Sequence, residues 1–377
     1  MKNFQILVIN TGSTSTKIAL YENDQKLWNE NMVLPEEIQR TSLSAIDQLP
    51  YRTEVLQNFL EKKGIDIKGL DIVVARGGPL PPINGGAYAI NQLMVDVLTY
   101  DPPVPHESSL SCMLARLITQ GTDVPAIIYD GESLDEMIPA ATVTGCPPIR
   151  NNPRGHPLNA RKVARKAADE LAMPYEEGKF IVAHFGGSIS VSAHKFGRII
   201  DIANAYTGPM SVQRAGRLPT DELVALCFSG EFNKREMLRK LNGASGFMAY
   251  FGTQDAREVF QMARNNDEKA NLMIEAMVLQ CSKSIAEMRM TINEDVDRIV
   301  FTGGMAYNAV FTDMISQRVE FIAPVMIFPG EYEMDALAEG ALLVLNNEIP
   351  VQNYDVVFSR FRDSEDFYSY VKKTTEK

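Results

Sequence analysis

The stretch FQILVINTGSTSTKIALY, residues 4–21, decides how this chain of 377 residues is interpreted. Residues 4–9 are apolar, residues 10–16 are small and mostly hydroxyl-bearing with one glycine, and residues 17–21 turn apolar again. The pattern predicts a strand, a tight turn and a second strand. Such a turn brings backbone N–H groups and hydroxyls close together, which suits a phosphate group.

The same plan recurs about 174 residues further along the chain, as FIVAHFGGSISVSA at residues 180–193. This shift places His184 at the position of Asn10 and Ser188 at the position of Thr14. Two unrelated hairpins would give a similar pattern, because glycine and serine are the default residues of turns.

A third glycine turn, FTGGM at residues 301–305, follows another apolar run and favours a duplication, with two domains facing one nucleotide. Strand-like runs alternate with helical patterns along the chain, which predicts α/β architecture. The proline-rich segment at 145–153 is the predicted crossing between domains. The tail after Tyr354 fits either a docked helix or disorder. The predicted strands are residues 71–75, 126–129, 180–184, 298–302 and 325–328, and the predicted helices are residues 158–171, 267–291 and 333–345.

The composition argues against several classes of protein. A net charge of −11 disfavours general binding to nucleic acids or anionic membranes, although it allows a local basic pocket. The four cysteines lie far apart with no CxxC pair, which disfavours disulfides or a zinc site and fits a reducing cytoplasm. The sequence has no run of about eighteen apolar residues and no pattern typical of a signal peptide.

Nine short motifs occur along the chain in a fixed order. They are NTGS at 10–13, ARGG at 75–78, PHES at 105–108, YDG at 129–131, HPLN at 156–159, HFGG at 184–187, QRAG at 213–216, FTGG at 301–304 and PGE at 329–331. With these motifs the chain resembles the butyrate kinases, relatives of the acetate kinases in the superfamily of acetate and sugar kinases, heat-shock ATPases and actin. The resemblance covers residues 1 to about 350.

The resemblance implies a duplicated α/β fold, in which two actin-like (ribonuclease H-like) domains face a central nucleotide cleft. Residues 1–150 together with about 334–377 would form the first domain. Residues 151–333 would form the second domain and carry most of the nucleotide site.

The implied activity is reversible, magnesium-dependent phosphoryl transfer between ATP and a short-chain fatty acid, giving an acyl phosphate and ADP. The acid would be butyrate or a branched-chain acid, and the GHPLN pattern at 155–159 differs from that of the acetate kinases. A carboxylate acceptor is already ionised at neutral pH, since the pKa of a model carboxyl is about 4 to 5. The enzyme then needs no strong base and must hold two anions together with cations, imidazoles, backbone N–H groups and magnesium.

Four residues are the candidate catalytic groups. Arg76 follows a predicted strand, and its guanidinium suits a carboxylate, which the resemblance makes its ligand. His156 precedes Pro157 at the start of a predicted helix, where an anion is favoured. The resemblance assigns His156 and Arg214 to transition-state stabilisation, and makes Asp130 the catalytic aspartate, acting through magnesium or hydrogen bonds. Structural roles, such as a surface arginine or a capping histidine, are the alternatives.

The substrate side has weaker signals. The resemblance places His106 near the substrate or the phosphoryl group, with structural packing as the alternative. Pro82 and Ile83, in the apolar run after Arg76, are predicted to line the alkyl tail of the acid. Such a wall would accept several acids, since one methylene is worth only about 1 to 3 kcal/mol of discrimination. His194 carries no functional signal and is interpreted as a strand or surface residue.

The implied cofactors are ATP and Mg²⁺. Magnesium is assigned to Asn10 and to an acid at Glu331 or Glu333, between which the spacing does not choose. The P-loop pattern GxxxxGK[ST] is absent from the sequence, which removes the commonest rival nucleotide site. The relatives also imply a cytoplasmic homo-oligomer, a dimer or larger. The implied nucleotide contacts are Gly12, Ser13, Ser15, Lys17, His184, Gly186, Gly187, Ser188, Asp255, Arg257, Gly303, Gly304, Met305 and Asn308.

Two other functions fit the same fold. A catalytically inert, actin-like nucleotide-binding scaffold is disfavoured because Arg76, His156 and Arg214 are all present. A sugar kinase would be expected to use an aspartate as the base for a neutral hydroxyl, whereas paired arginines suit an anionic acceptor better.

Overall fold

The computed structural model describes residues 2–41, 44–102, 106–147 and 149–354. The chain divides into two compact units, Met1–Leu134 with Glu333–Lys377 and Asp135–Tyr332. The chain therefore leaves the first unit after Leu134, earlier than the predicted boundary near residue 150. The proline-rich segment lies within the second unit, because Glu136 and its neighbours already pair with strand residues there. Pro148 and the tail beyond Tyr354 lie outside the described residues.

Every strand predicted from the sequence is confirmed. Four further strands were not predicted: Gln25–Val33 (β3), Ala87–Ala89 (β5), Arg198–Ala203 (β9) and Val351–Gln352 (β12). β3 is mostly exposed and polar and so lacks an apolar run, while β5 and β12 are only three and two residues long. The strands are β1 Gln5–Thr11, β2 Ser15–Glu22, β3 Gln25–Val33, β4 Ile72–Ala75, β5 Ala87–Ala89, β6 Ala126–Tyr129, β7 Lys179–Phe185, β8 Ile189–Lys195, β9 Arg198–Ala203, β10 Arg298–Gly303, β11 Val325–Pro329 and β12 Val351–Gln352.

The three predicted helices are also confirmed, as α6, α11 and α13. Pro157 opens α6 at the position where its missing N–H costs no hydrogen bond. None of the helices in the described residues is long and apolar enough to cross a membrane. The helices are α1 Glu36–Thr41, α2 Leu49–Lys62, α3 Gln92–Tyr100, α4 Ser109–Thr119, α5 Pro139–Thr142, α6 Pro157–Glu170, α7 Thr220–Cys227, α8 Lys234–Gly243, α9 Phe247–Phe251, α10 Ala256–Arg264, α11 Glu268–Ile292, α12 Ala309–Val319 and α13 Glu333–Leu345.

The first unit is built on a mixed sheet with the strand order β12-β5-β6-β4-β1-β2-β3. β1, β2 and β3 form an antiparallel meander, while β4 runs parallel to both β1 and β6. The central strands are wholly buried apolar runs, as expected where helices cover a sheet. Helices α4 and α13 contact β1 and β4. The end of β1 lies close to the start of both helices, because Thr11 contacts Ser111 of α4 and Asn10 contacts Glu333 of α13.

The second unit repeats this plan, with the strand order β11-β10-β7-β8-β9. β7, β8 and β9 form the antiparallel meander, and β10 runs parallel to both β7 and β11. The order β3-β2-β1-β4-β6 of the first unit thus matches β9-β8-β7-β10-β11 strand for strand. The internal repeat read from the sequence is therefore a structural duplication.

The two repeated turns differ in length, which corrects the alignment after the turn. Thr11 pairs with Thr16 in the first hairpin, whereas Phe185 pairs with Ile189 in the second. The second turn is thus one residue shorter, and Ser188 corresponds to Ser15 rather than to Thr14. A constant shift along the chain cannot register a deletion inside a turn.

Candidate active site

Arg76 lies directly after β4 and is enclosed by two carboxylates of its own unit. Its Nη2 is 2.5 Å from Glu132 Oε1, and its Nη1 is 3.1 Å from Glu333 Oε2. The backbone N–H of Arg76 donates to the carbonyl of Ile9 at 3.0 Å, which fixes the start of the loop. Two carboxylates and one guanidinium give this group a net charge of −1. A carboxylate that binds Arg76 must therefore displace one of these acids or share the guanidinium with it.

Asn10 and Glu333 form the buried side of the same group. Glu333 opens α13, and its Oε2 accepts a hydrogen bond from Asn10 Nδ2 at 2.8 Å. Glu331 is exposed and belongs to the second unit, so it is Glu333 that joins Asn10. The amide oxygen of Asn10 and the carboxylate oxygens of Glu333 are the hard ligands that Mg²⁺ prefers.

His106 joins this group through a serine that the sequence analysis did not single out. His106 Nδ1 lies 2.8 Å from Ser108 Oγ, and that hydroxyl donates to Glu132 Oε2 at 3.0 Å. The same short segment leads into α4 at Ser109. Glu132 is therefore shared between Ser108 and Arg76, and His106 is linked through Ser108 to the guanidinium.

Asp130 is held in an unusual backbone conformation at the end of β6. Its φ is +42°, a left-handed value that aspartate tolerates better than most residues but that still costs on the order of 1 kcal/mol. Its backbone N–H donates to Gly86 O at 3.1 Å, and its Oδ1 accepts from Gly86 N at 2.9 Å. The side chain is buried, so its carboxylate has a fixed position.

The first turn follows β1 and presents small side chains. The N–H of Gly12 donates to the carbonyl of Ser15 at 2.8 Å, which closes the turn. Ser13 is exposed and its Oγ donates to Glu107 Oε2 at 3.3 Å, while Lys17 lies in β2. The predicted phosphate residues of this turn therefore lie together on one hairpin.

A buried arginine, which the sequence analysis missed, holds the first turn from behind. Arg52 of α2 donates to Gly12 O at 2.8 Å, to Ser15 O at 2.9 Å and to Thr16 Oγ1 at 2.8 Å. Its remaining bonds go to Oε1 of Gln48, the residue just before α2 begins. Burial lowers the pKa of Arg52 to about 10, so the side chain is charged at neutral pH.

The second turn is closed in the same way and is held by a loop. The N–H of Gly186 donates to Ser188 O at 3.1 Å. The carbonyl of Gly187 accepts from Ser211 Oγ at 2.7 Å and from Gln213 N at 3.3 Å. The loop that carries the QRAG motif therefore packs directly on the glycine turn.

Arg214 takes its position from that loop. Its backbone N–H donates to Ser211 Oγ at 3.2 Å, and its Nη1 donates to Ala205 O at 2.9 Å. The guanidinium also lies 4.1 Å from the ring centroid of Tyr206, at cation–π distance. Arg214 thus shares Ser211 with the glycine turn, which ties the cation to the predicted phosphate site.

Two histidines stack beside the second turn. The rings of His156 and His184 are 3.8 Å apart between centroids and inclined by 10°. His156 caps α6, and its two nitrogens lie 2.8 Å from Ser190 Oγ and 3.1 Å from Ser188 Oγ. The two serine hydroxyls thus hold the ring of His156 against that of His184.

The residues predicted to flank adenosine differ in their exposure to solvent. Gly303 has φ +90°, and a Cβ there would lie 2.4 Å from Phe185 O, so the turn requires glycine. Gly304 is exposed, with open space where a side chain would be. Met305 is buried in the hydrophobic core, and Asn308 caps α12. Only Gly304 presents an open surface in this group.

Asp255 and Arg257 pair with each other. Asp255 caps α10 and accepts from the backbone N–H of Arg257 at 2.9 Å, and Arg257 Nη2 lies 2.6 Å from Asp255 Oδ2. The hydrogen bonds from Arg257 lower the pKa of Asp255. These contacts explain both residues as a local helix cap, and a nucleotide role stays a prediction.

The predicted alkyl wall lies within the first unit. Ile83 is a member of the hydrophobic core, and its N–H donates to Ser133 O at 3.1 Å, close to the loop of Asp130 and Glu132. Pro82 is half-buried. The apolar run therefore adjoins the polar loop, and its contact with a substrate stays a prediction.

The structure thus brings the candidate residues into two groups, one per unit. The first group joins Asn10, Arg76, His106, Glu132 and Glu333 through a continuous chain of hydrogen bonds and ion pairs, in which Ser108 links His106 to Glu132. The second group joins the histidine pair, the glycine turn and the Arg214 loop. Ser108, which was not singled out from the sequence, left a partial signal because it lies inside the PHES motif.

The second group lies within a stretch that resembles a known family. Residues 155–324 match the model of the Acetokinase family. The match includes His156, His184 and Arg214, and it covers less than half of the chain.

Solved structures with the same fold include enzymes of this kind. The acetate kinase of Porphyromonas gingivalis has a TM-score of 0.74 at 17% identity, covering 90% of this chain and 100% of its own. The propionate kinase of Francisella tularensis gives 0.71 at 20% identity, with coverage of 89% and 98%. The acetate kinase of Entamoeba histolytica gives 0.72 at 15%, with coverage of 89% and 98%. These likenesses confirm the predicted fold class of duplicated actin-like α/β domains.

Proposed function

We propose that this protein is a carboxylate kinase that transfers a phosphoryl group reversibly between ATP and a short-chain fatty acid. The observation that carries the proposal is the Acetokinase match over residues 155–324, which includes His156, His184 and Arg214. Arg76, at a strand end of the first unit, adds a cation suited to an anionic acceptor.

The proposed division of roles follows from charge. The acceptor carboxylate is ionised at neutral pH and is bound by Arg76, so no strong base is needed. Charge on the transferring phosphoryl group is stabilised by His156 and Arg214, whose side chains donate hydrogen bonds. Asp130, fixed by its two bonds to Gly86, orients a reacting group by hydrogen bonding or through magnesium.

Magnesium fits the first unit. Asn10 and Glu333 offer an amide oxygen and carboxylate oxygens at one buried place, and Mg²⁺ is typically held by one or two carboxylates plus substrate phosphates. A magnesium ion held by Asn10 and Glu333 would neutralise negative charge on the phosphate groups of the nucleotide.

The proposed acceptor is butyrate or a branched short-chain acid. Pro82 and Ile83 are the candidates for contact with its alkyl chain. Because one methylene contributes only about 1 to 3 kcal/mol, we expect activity with several acids and a preference rather than strict selection.

We further propose a cytoplasmic homo-oligomer without nucleic-acid or membrane partners. All four cysteines are free, and two of them are exposed, which is compatible with a reducing compartment. The net charge of −11 disfavours polyanionic partners.

The test is an acyl hydroxamate assay with the full chain, ATP, magnesium, hydroxylamine and straight and branched acids of two to six carbons. We expect acyl hydroxamate to form, with the highest kcat/KM for acids of about four or five carbons. The proposal is wrong if none of these acids gives product. Binding of ATP without turnover would favour an inert scaffold instead.

Two arginines in one loop provide a matched pair of variants. Arg214→Ala should lower kcat by about 10²-fold or more, because it removes a donor to the transferring group. Arg217 instead forms an exposed ion pair with Glu287, at 2.7 and 2.8 Å. Arg217→Ala should therefore leave kcat within about twofold. Equal losses in both variants would refute the role of Arg214.

A further inference from the structure

Asn159 is a fully buried side chain of α6 whose orientation is fixed by its neighbours. Its Oδ1 accepts from the backbone N–H of Tyr332 at 2.8 Å, a group that can only donate. The amide nitrogen Nδ2 must therefore face His184 Nδ1 at 3.0 Å and Thr302 Oγ1 at 3.2 Å. Thr302 Oγ1 in turn donates to Gly330 O, so it is able to accept from the amide. If the amide were flipped, its NH2 group would face the backbone N–H of Tyr332, and two donors would meet without an acceptor.

This orientation decides which nitrogen of His184 carries a proton. The Nδ2 group of Asn159 offers only hydrogens, so Nδ1 of His184 must accept and is unprotonated. The neutral ring then carries its hydrogen on Nε2, and an imidazolium, protonated at both nitrogens, conflicts with the same contact. Nε2 lies at the glycine turn, since a Cβ on Gly186 would be 3.1 Å from it. A fixed N–H donor therefore lies beside the turn.

We propose that Asn159 is a positioning residue that holds His184 as the neutral Nε2–H tautomer, so that Nε2 donates to a phosphoryl oxygen bound at the turn of Gly186 and Gly187. The identity of that anion rests on the proposed function, whereas the tautomer does not. A neutral His184 also leaves the stacked His156 able to carry a proton without charge repulsion inside the pair.

Asn159→Asp tests the tautomer directly. Aspartate has the same shape and still accepts from Tyr332, but it offers an oxygen to His184 in place of an N–H. Nitrogen NMR of the histidine-labelled full chain reports the protonation of each ring nitrogen, and the chain has four histidines to assign. We expect His184 of the wild type to be protonated at Nε2 alone, and to gain a proton on Nδ1 in the variant. The resonances of His194, which is buried among other partners, should not move and so report an intact fold.

Wild-type protein protonated at Nδ1 of His184 would overturn the proposal. So would a variant that folds, by the His194 criterion, without any change at His184. Neither result depends on kinase activity.

Kinetics test the role of the donor. Asn159→Asp should lower kcat by about 10²-fold, because Nε2 of His184 would no longer be held as a donor to the phosphoryl group. The KM for the carboxylate should stay within about twofold, because that donor does not bind the acid. Thr302→Val removes the other partner of the amide and keeps the contact between Asn159 Nδ2 and His184 Nδ1, so it should retain most of the activity. Equal losses in the two variants would make Asn159 a merely structural residue and overturn its positioning role. If the wild type forms no hydroxamate but shows the expected tautomer shift, the kinase proposal fails and the tautomer assignment is supported.

Discussion

At the scale of single residues, Glu132 bears on the acceptor site that we propose at Arg76. The resemblance assigns Arg76 to the substrate carboxylate, yet its guanidinium already contacts Glu132 at 2.5 Å and Glu333 at 3.1 Å. Glu333 also accepts a hydrogen bond from Asn10 on the buried side, whereas Glu132 makes the shorter of the two contacts with Arg76 and accepts from Ser108 through its other oxygen. Glu132 is therefore the acid that an incoming carboxylate most directly competes with.

Glu132→Gln should tighten binding of the carboxylate substrate. Glutamine keeps hydrogen bonding to Arg76 but removes a negative charge, so we expect the KM for the acid to fall about fivefold, equivalent to about 1 kcal/mol. The hydroxamate assay measures this at saturating ATP. Glu287→Gln is the matched control, because Glu287 pairs with an exposed arginine elsewhere, and its KM should not change. An unchanged or higher KM in Glu132→Gln would contradict the competition.

At the scale of elements, the first hairpin is held by helix α2 as well as by its own hydrogen bonds. Arg52 of α2 binds two carbonyls and one hydroxyl of the turn from the buried side. A lysine at this position would bring one ammonium in place of a planar fork, so it could not hold all three oxygens.

Arg52→Lys should therefore loosen the first turn and leave the second unchanged. We expect faster amide hydrogen exchange at residues 12–16, and a loss of about 1 to 3 kcal/mol in the free energy of unfolding. The turn at residues 186–188 lies in the other unit and serves as the internal control. Equal exchange at residues 12–16 in variant and wild type would show that Arg52 does not hold the turn.

Residues beside a strand end or a helix start could be predicted from the sequence, whereas residues that act through long-range contacts could not. Arg76 and His156 stand next to a strand end and a helix start, which local patterns reveal. Arg52 and Glu132 act across separations of about 40 and 56 residues, as counted from their partners Gly12 and Arg76. No local sequence pattern indicates such a contact, because the two partners come together only when the chain folds.

Duplication is the property of the whole molecule that was predictable from sequence. Two similar hairpins and a third glycine turn were enough to predict the duplication. The two sheets share the same strand order because each unit repeats the same hairpin followed by parallel strands. The boundary after Leu134 could not be predicted, since Glu136 joins the second unit through Arg161 and Ile199. Ion pairs of that kind leave no composition shift along the chain.

The stability of the whole fold is expected to fall in acid because of one buried histidine, His194. The sequence suggested a strand or surface residue; the side chain is in β8 but fully buried, between Tyr175 and Ser192. Burial, together with the charge of Arg161, lowers the pKa of His194 to about 3. As the pH falls below about 6.5, His194 therefore becomes protonated in the unfolded chain but stays neutral in the folded chain.

Stability contributed by neutral His194 is thus complete above about pH 6.5 and is lost as the pH falls towards about 3, by up to about 1.4 kcal/mol per pH unit. His194→Gln keeps hydrogen-bonding groups for Tyr175 and Ser192 but cannot titrate. Urea unfolding at several pH values between about 7.5 and 4.5 should therefore give a flatter pH dependence in the variant than in the wild type, whatever its stability at neutral pH. The carboxylates titrate in both proteins and cancel in the comparison. Parallel curves would mean that His194 does not couple folding to protons, and that the acid sensitivity resides in other groups.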